Sequence, residues 1–418
     1  MSTLKQIKKI SDLNINIELI HELILKFIYV HGTLKGKDIS DYLKVPFSII
    51  EEELQLLKKR ELIVISGSSQ LASGYHVMDF DLTQKGRDRS REIMQVRSYV
   101  GPIPVTIEEY VSVIEQKIIQ SRKITAEMVN AVFKDMKLAP IYFSKIGPAI
   151  NSGGPILFFG EPGNGKTMIA EKVIQAFSDY IYVPYCILVD GQFIKYYDEK
   201  VHKHISFETD DLRWVKIKRP FIVVGGELTL PMLDLVYKDE FKYYEAPPQL
   251  KANGGVLLID DFGRQLVSPK ELLNRWIYPL EKKVDYLTLV TGKKIEVPFN
   301  QMLIFSSNLK PEQLGDDAFL RRIKYKIEIV SPTLEEVREL FKAQCLKLGI
   351  SYSEEVFAGM VTEHFVQPKR DFRGCHARDL LGHVFDYMSF YNKKMMLTKE
   401  AVNFACNSYF SKFNKKAA

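Results

Sequence analysis

Cysteine is scarce in this chain. Cys186, Cys345, Cys375 and Cys406 are the only four in 418 residues. No two form a CxxC pair, which argues against a zinc site or a disulfide framework, and they read as free, mostly buried thiols. Long apolar runs are missing too. Those around 155–159, 180–189 and 256–259 fall far short of the roughly 20 residues that span a bilayer, so no membrane insertion is expected. Residues 1–10 lack the apolar stretch and small-residue cleavage site of a secretory signal, and the chain is expected to stay in the cytoplasm. There is no internal repeat, no low-complexity segment and no dense basic run. A net charge of +6 over this length does not by itself announce nucleic acid. The rest is ordinary: 46% hydrophobic and 26% charged, as in globular proteins, and long enough for two or three domains.

Periodicity divides the chain. Helical spacing over 18–30, a short helix at 36–43 and a third at 47–60 precede two alternating segments, 62–66 and 75–82, joined by Gly and Ser turn signals. A basic helix follows from 83 to about 97. Three helices and a hairpin predict a winged-helix-like domain over 1–100. Pro102 and Pro104 mark its end, since proline restricts both itself and its predecessor. A helical linker is expected over 101–144. From 145 to 331, apolar runs at 156–159, 182–189, 221–224, 256–259 and 302–305 alternate with helices, which predicts an α/β domain with a parallel sheet. Residues 332–418 read as helices only, a helical lid.

The chemistry begins at Gly160-Glu161-Pro162-Gly163-Asn164-Gly165-Lys166-Thr167-Met168. This GxxxxGKT, a Walker A loop, follows an apolar strand and opens a helix. Glycines let backbone N–H groups wrap phosphates, and the helix N-terminus adds positive charge. Lys166 is expected to reach the β- and γ-phosphates of ATP, and the Thr167 hydroxyl to ligate Mg2+. Val256-Leu257-Leu258-Ile259-Asp260-Asp261 is a buried strand ending in two carboxylates, as ligand edges of open α/β sheets do. Asp260 is the expected Mg2+ partner. Asp261 either activates the attacking water or caps a helix after Phe262. Asn308, at the end of the run from Met302, stands where a polar group would hold the lytic water.

Together these stretches, from Lys145 to about Tyr391, resemble the AAA+ superfamily, an α/β core with a helical lid. The resemblance implies that Asn308 is the sensor 1 residue. It implies that Arg321 and Arg322, in Asp316-Asp317-Ala318-Phe319-Leu320-Arg321-Arg322-Ile323, are arginine fingers acting on a neighbouring subunit. Arg378, in Gly374-Cys375-His376-Ala377-Arg378, resembles the sensor 2 arginine. The plainer reading of Arg321 and Arg322 is a surface pair bound to helix carboxylates, and Arg378 taken alone reads equally as a salt-bridge partner. Most relatives carry Glu where this chain has Asp261, one methylene shorter. An alternating segment at 286–297 around Thr291-Gly292 resembles the hairpin that some branches place before sensor 1. The words GPAINSG, NGGVLLIDDFGRQ, LLNRWIYPLE and AFLRRI are similar to a bacterial group described as ATPases with chaperone activity. That likeness implies homo-oligomeric rings, usually hexamers, and remodelling of a protein client.

A DNA-binding regulator or loader is the alternative, with the winged helix as reader. Against it, the would-be recognition helix carries Glu51, Glu52 and Glu53 where phosphate contact needs Lys or Arg. Residues 1–100 hold 15 Lys and Arg against 13 Asp and Glu. Lys85, Arg87, Arg89 and Arg91 remain in favour of nucleic acid. Tyr243-Tyr244 and Gly225-Gly226-Glu227-Leu228-Thr229 read either as loops that grip a client or as plain loop and core.

Overall fold

The computed structural model describes residues 4–70, 76–116, 123–134, 136, 140–315 and 320–410. Contacts divide the chain into two compact units, each drawn from separate stretches of sequence. One takes Met1–Lys123, Phe177–Ile259 and Arg264–Leu303; the other takes Ile124–Ala176, Asp260–Gly263 and Ile304–Ala418.

The chain opens with helix α1 (Ile17–His31), strand β1 (Leu34–Lys35) and helices α2 (Gly36–Leu43) and α3 (Phe47–Lys59). The hairpin β2 (Ile63–Gln70) and β3 (His76–Leu82) and helix α4 (Gln84–Val96) follow. The strands form an antiparallel sheet in the order β1-β3-β2, and the hairpin tip at 71–75 lies outside the described residues. Helix α1 starts where Asn16 accepts a hydrogen bond from the Glu18 amide, a side-chain cap. Its Ile20, Leu23 and Ile24 pack with Ile50, Leu54 and Leu57 of α3. The same core takes in Ile103, Cys186 and Phe193.

Strand β4 (Val105–Thr106) and helix α5 (Ile107–Glu115) complete this stretch. The second unit then supplies α6 (Ala126–Phe133), α7 (Pro140–Ser152), β5 (Ile156–Phe159) and α8 (Lys166–Gln175). Of the expected helical linker, residues 117–122, 135 and 137–139 lie outside the described residues. Back in the first unit come β6 (Tyr180–Pro184), β7 (Cys186–Val189), β8 (Gln192–Lys195), β9 (His204–Ser206), β10 (Trp214–Lys218), β11 (Phe221–Val224), β12 (Val236–Lys238), β13 (Tyr243–Glu245) and β14 (Val256–Ile259). Helix α9 (Pro269–Lys282), the hairpin β15 (Val284–Thr288) and β16 (Lys294–Pro298), and β17 (Met302–Ser307) lead on to β18 (Tyr325–Glu328). The chain ends in α10 (Leu334–Leu348), α11 (Glu354–Val361), α12 (His376–Phe390) and α13 (Lys399–Tyr409).

The fold is α/β with a parallel sheet in the order β11-β14-β17-β5-β18. Four of the five expected runs are in it. The fifth, 182–189, is not: it breaks after Pro184 into β6, antiparallel to β10, and β7, antiparallel to β8. Burial alternates along β6, the pattern of a sheet covered on one face rather than two. The strand that takes its place in the count is β18, Tyr-Lys-Ile-Glu, whose charged residues suit a sheet edge. In the first unit β6-β10-β9 and β12-β13-β8-β7-β4 form two further sheets. Their core joins Val105, Ile114, Ile187, Trp214, Tyr244 and Leu287. Tyr244 is buried, its hydroxyl accepting from the Val290 amide at 2.8 Å. Leu228 is buried as well. The helices after β18 enclose their own core, with Phe341, Phe357, Leu381 and Val402. Among the described residues no helix is long and apolar enough to cross a membrane.

Candidate functional site

All residues of the candidate site belong to the second unit, and strand register brings them together. Ile304–Ser307 pair residue for residue with Ile156–Phe159, and Tyr325–Glu328 pair with the same strand. Gly160, Asn308 and Ile329 therefore leave the sheet from one carboxyl edge, where ligands bind in open parallel sheets. Gly160 has φ 135°, and a Cβ there would sit 2.3 Å from the Ile329 carbonyl oxygen; Gly163 has φ 86°, and its Cβ would meet Cys375 Sγ at 2.5 Å. Only glycine takes both the positive φ and the crowding. Gly165, also at positive φ, begins α8, whose first-turn amides lack helical acceptors and suit an anion.

Lys166 is 6% exposed. Its Nζ donates to the Gly160 carbonyl at 2.9 Å, the Glu161 carbonyl at 3.0 Å and Asn308 Oδ1 at 2.7 Å. Burial lowers the pKa of this ammonium, while Asp261, Asp260 and Glu161 pull it back up. Asn308 is a bridge: its Nδ2 donates to Asp261 Oδ1 at 3.1 Å. Asp261 stands at φ 50°, a conformation Asp tolerates better than most residues. No helix follows it directly; α9 begins at Pro269 with Ser268 as its cap. The capping role weighed for Asp261 is therefore not the one it has. Thr167 Oγ1 donates to Asp260 at 3.1 and 3.0 Å from the two carboxylate oxygens.

These groups fit a Mg2+ nucleotide. The ammonium rests on three neutral oxygens, all weaker partners than a phosphate. One hydroxyl beside one carboxylate is the sparse, all-oxygen set of Mg2+ sites, where water and phosphate complete the shell. Among the described residues no group of three or more His, Cys, Asp or Glu is gathered for a metal ion.

Residues 333–408 match the model of a family described as a domain of unknown function (DUF8689). No curated protein matches the chain. Among solved structures the chain is similar to RuvB of Thermotoga maritima. The structure titled as a Holliday junction branch migration motor is 13% identical, with TM-score 0.36, covering 73% of this chain and 72% of that one. Two mutant forms of RuvB give 13% and 0.37, covering 69% and 72%, and 12% and 0.38, covering 67% and 73%. Likeness at this level carries no function from that motor to this chain.

Of the remaining expected site residues, Arg321 is exposed and Arg322 half-buried, in the turn before β18; Asp316 to Phe319 lie outside the described residues. Arg378 is 75% exposed and donates to Asp379 beside it at 2.7 Å. The arginine that reaches the loop is Arg373, whose Nη2 lies 3.4 Å from Glu161 Oε2. Next to it, the Gly374 amide donates to Asn164 Oδ1 at 3.1 Å and the Cys375 amide to the Gly163 carbonyl at 2.8 Å. Sequence reasoning missed this turn. Its one clue was Gly374, a small residue where backbones approach closely.

His376 fixes the turn from behind, its Nδ1 accepting from the Arg373 amide at 3.1 Å. Burial, helped by Arg373 and Arg370 and opposed by Asp379, pushes its pKa down to about 4. The folded value lies below the unfolded one near 6.5, so the unfolded chain binds the proton more readily. Stability from this residue is full above pH 6.5 and is lost as pH falls toward 4. Thermal unfolding at pH 7 and pH 4.5 should show His376→Phe losing about 1–2 kcal/mol less than wild type on acidification; equal losses would refute it.

Proposed function

We propose that the chain is an AAA+ type ATPase, binding and hydrolysing Mg-ATP in a ring-type homo-oligomer to remodel a protein client. The observation behind this reading is the connected set Lys166–Asn308–Asp261 beside Thr167–Asp260, at the end of a GxxxxGKT loop. Lys166 would hold the β- and γ-phosphates, with Gly160 through Met168 as the cradle. Thr167 and Asp260 would hold Mg2+, which supplies charge for the phosphate oxygens when bound. Asn308 would orient the water. Asp261 would take its proton as the water oxygen attacks the γ-phosphorus and the bond to the β–γ bridging oxygen breaks, releasing ADP and phosphate. Arg321 and Arg322 would stabilise that charge from a neighbouring subunit, and Arg378, as the sensor 2 arginine, would touch the γ-phosphate and couple the angle of the lid to the nucleotide state.

Asp261→Asn tests the chemistry. It should bind ATP as wild type does and turn over at least about tenfold more slowly, because an amide cannot accept the proton. Undiminished phosphate release would remove Asp261 from the mechanism.

A nucleotide-controlled DNA-binding protein is the second reading, favoured by the three helices and β-hairpin of the amino-terminal region, taken as a winged helix. Its basic residues weigh against it. Arg87 pairs with Asp81 at 2.8 Å, Arg89 with Glu92 at 3.1 Å, Arg91 with Asp88 at 3.3 Å, and Lys85 lies 3.9 Å from Glu61. Glu51 and Glu52 of α3 are exposed, while Glu53 is buried against His21. A phosphate backbone would have to displace these carboxylates and face bare ones, so a protein client is the better fit. Duplex binding by the full chain that weakens steeply with salt would reverse this preference.

A further inference from the structure

The GxxxxGKT pattern leaves four positions of the loop unspecified, and three of them, Glu161, Gly163 and Asn164, face the turn before α12. Gly163 and Asn164 hold the backbone of Cys375 and Gly374. Asn164 also donates to Ser331 Oγ at 3.3 Å, tying the loop to the segment after β18. Glu161 presents its carboxylate to Arg373. These contacts differ in kind. The backbone bonds pin the turn, and the His376 ring anchors the Arg373 amide, whereas the Arg373 guanidinium stays 40% exposed and the Glu161 side chain 62% exposed. The turn is fixed while the ion pair is free to exchange.

Glu161 serves two cations at once. Its carbonyl accepts from Lys166 Nζ and its carboxylate meets Arg373. Both cations therefore lie against one residue of the loop, and an anion entering beside Lys166 comes within the neighbourhood of Arg373.

We propose that Glu161 competes with the triphosphate for Arg373: the guanidinium rests on the loop's own carboxylate and transfers to phosphate oxygens when ATP binds. The proposal rests on the nucleotide-binding reading of the loop. A half-exposed ion pair is worth little, while a guanidinium on phosphate makes strong, often bidentate bonds, so the transfer runs downhill. Glu161 thereby weakens ATP binding by holding a lid cation back, and ties that cation's release to the arrival of phosphate.

The test measures ATP affinity on the full chain for Glu161→Gln, Arg373→Ala, both together, and Lys166→Ala. Glu161→Gln should bind ATP roughly two- to fivefold more tightly, and Arg373→Ala about tenfold more weakly. With Arg373 already Ala, Glu161→Gln should add nothing. Affinity unchanged or weakened in Glu161→Gln would overturn the proposal. So would a gain that persists without Arg373, since that is plain repulsion between carboxylate and phosphate. Lys166→Ala separates the two levels: its failure to bind, alongside an inert Glu161→Gln, removes only the competition. Wild-type affinity in Lys166→Ala removes the nucleotide reading and this proposal with it.

Discussion

Lys166→Ala is expected to cut ATP affinity by at least about 100-fold. Hydrogen bonds to a charged group contribute about 1.5–3 kcal/mol each, and this ammonium is positioned to make more than one to the phosphates. It is also the only cationic side chain within the loop. The substitution strips the Gly160 and Glu161 carbonyls and Asn308 Oδ1 of a donor, so calorimetric titration with ATP should be paired with a melting curve. A folded variant that binds ATP as wild type does would sink the assignment of the loop.

The second large effect concerns Arg321 and Arg322. A finger supplied by a neighbouring subunit is worth about 10³–10⁵ in rate, so Arg321→Ala, Arg322→Ala should be nearly inactive while binding ATP normally. Mixed with the Lys166→Ala chain, it should recover part of its turnover, because intact fingers then face intact loops. Specific activity of wild type should also fall on dilution, as assembly is lost by mass action. Constant activity per chain on dilution, with no recovery in mixed assemblies, would place the fingers in the same chain or nowhere.

How much of this was legible beforehand differs from residue to residue. Lys166, Thr167, Asp260 and Asn308 follow apolar runs that end flush, so one sheet edge could be read from 156–159, 256–259 and 302–305 alone. Residues 182–189 misled because a run of apolar and aromatic residues looks alike whether it forms one two-faced strand or two one-faced ones, and Pro184 was the only sign of the break. Strand β18 was hidden by its lysine and glutamate. Arg373 was hard to read for another reason: it lies about 200 residues beyond the loop it touches, and its place is set by the amides of Gly374 and Cys375, of which the glycine alone left a sign in the sequence. Arg378, by contrast, sits in the more familiar-looking word, yet in the structure its partner is Asp379.

The first unit is assembled from stretches that end only at Leu303, and the core around α1 includes Cys186 and Phe193. On the ribosome, then, the amino-terminal helices cannot reach their final burial when they emerge. At about 5–20 residues per second, roughly 15–60 seconds of synthesis separate the first residue from the last that the unit needs. During that interval part of the apolar face of α1 lacks its later partners, which makes the nascent chain a candidate for chaperone attention.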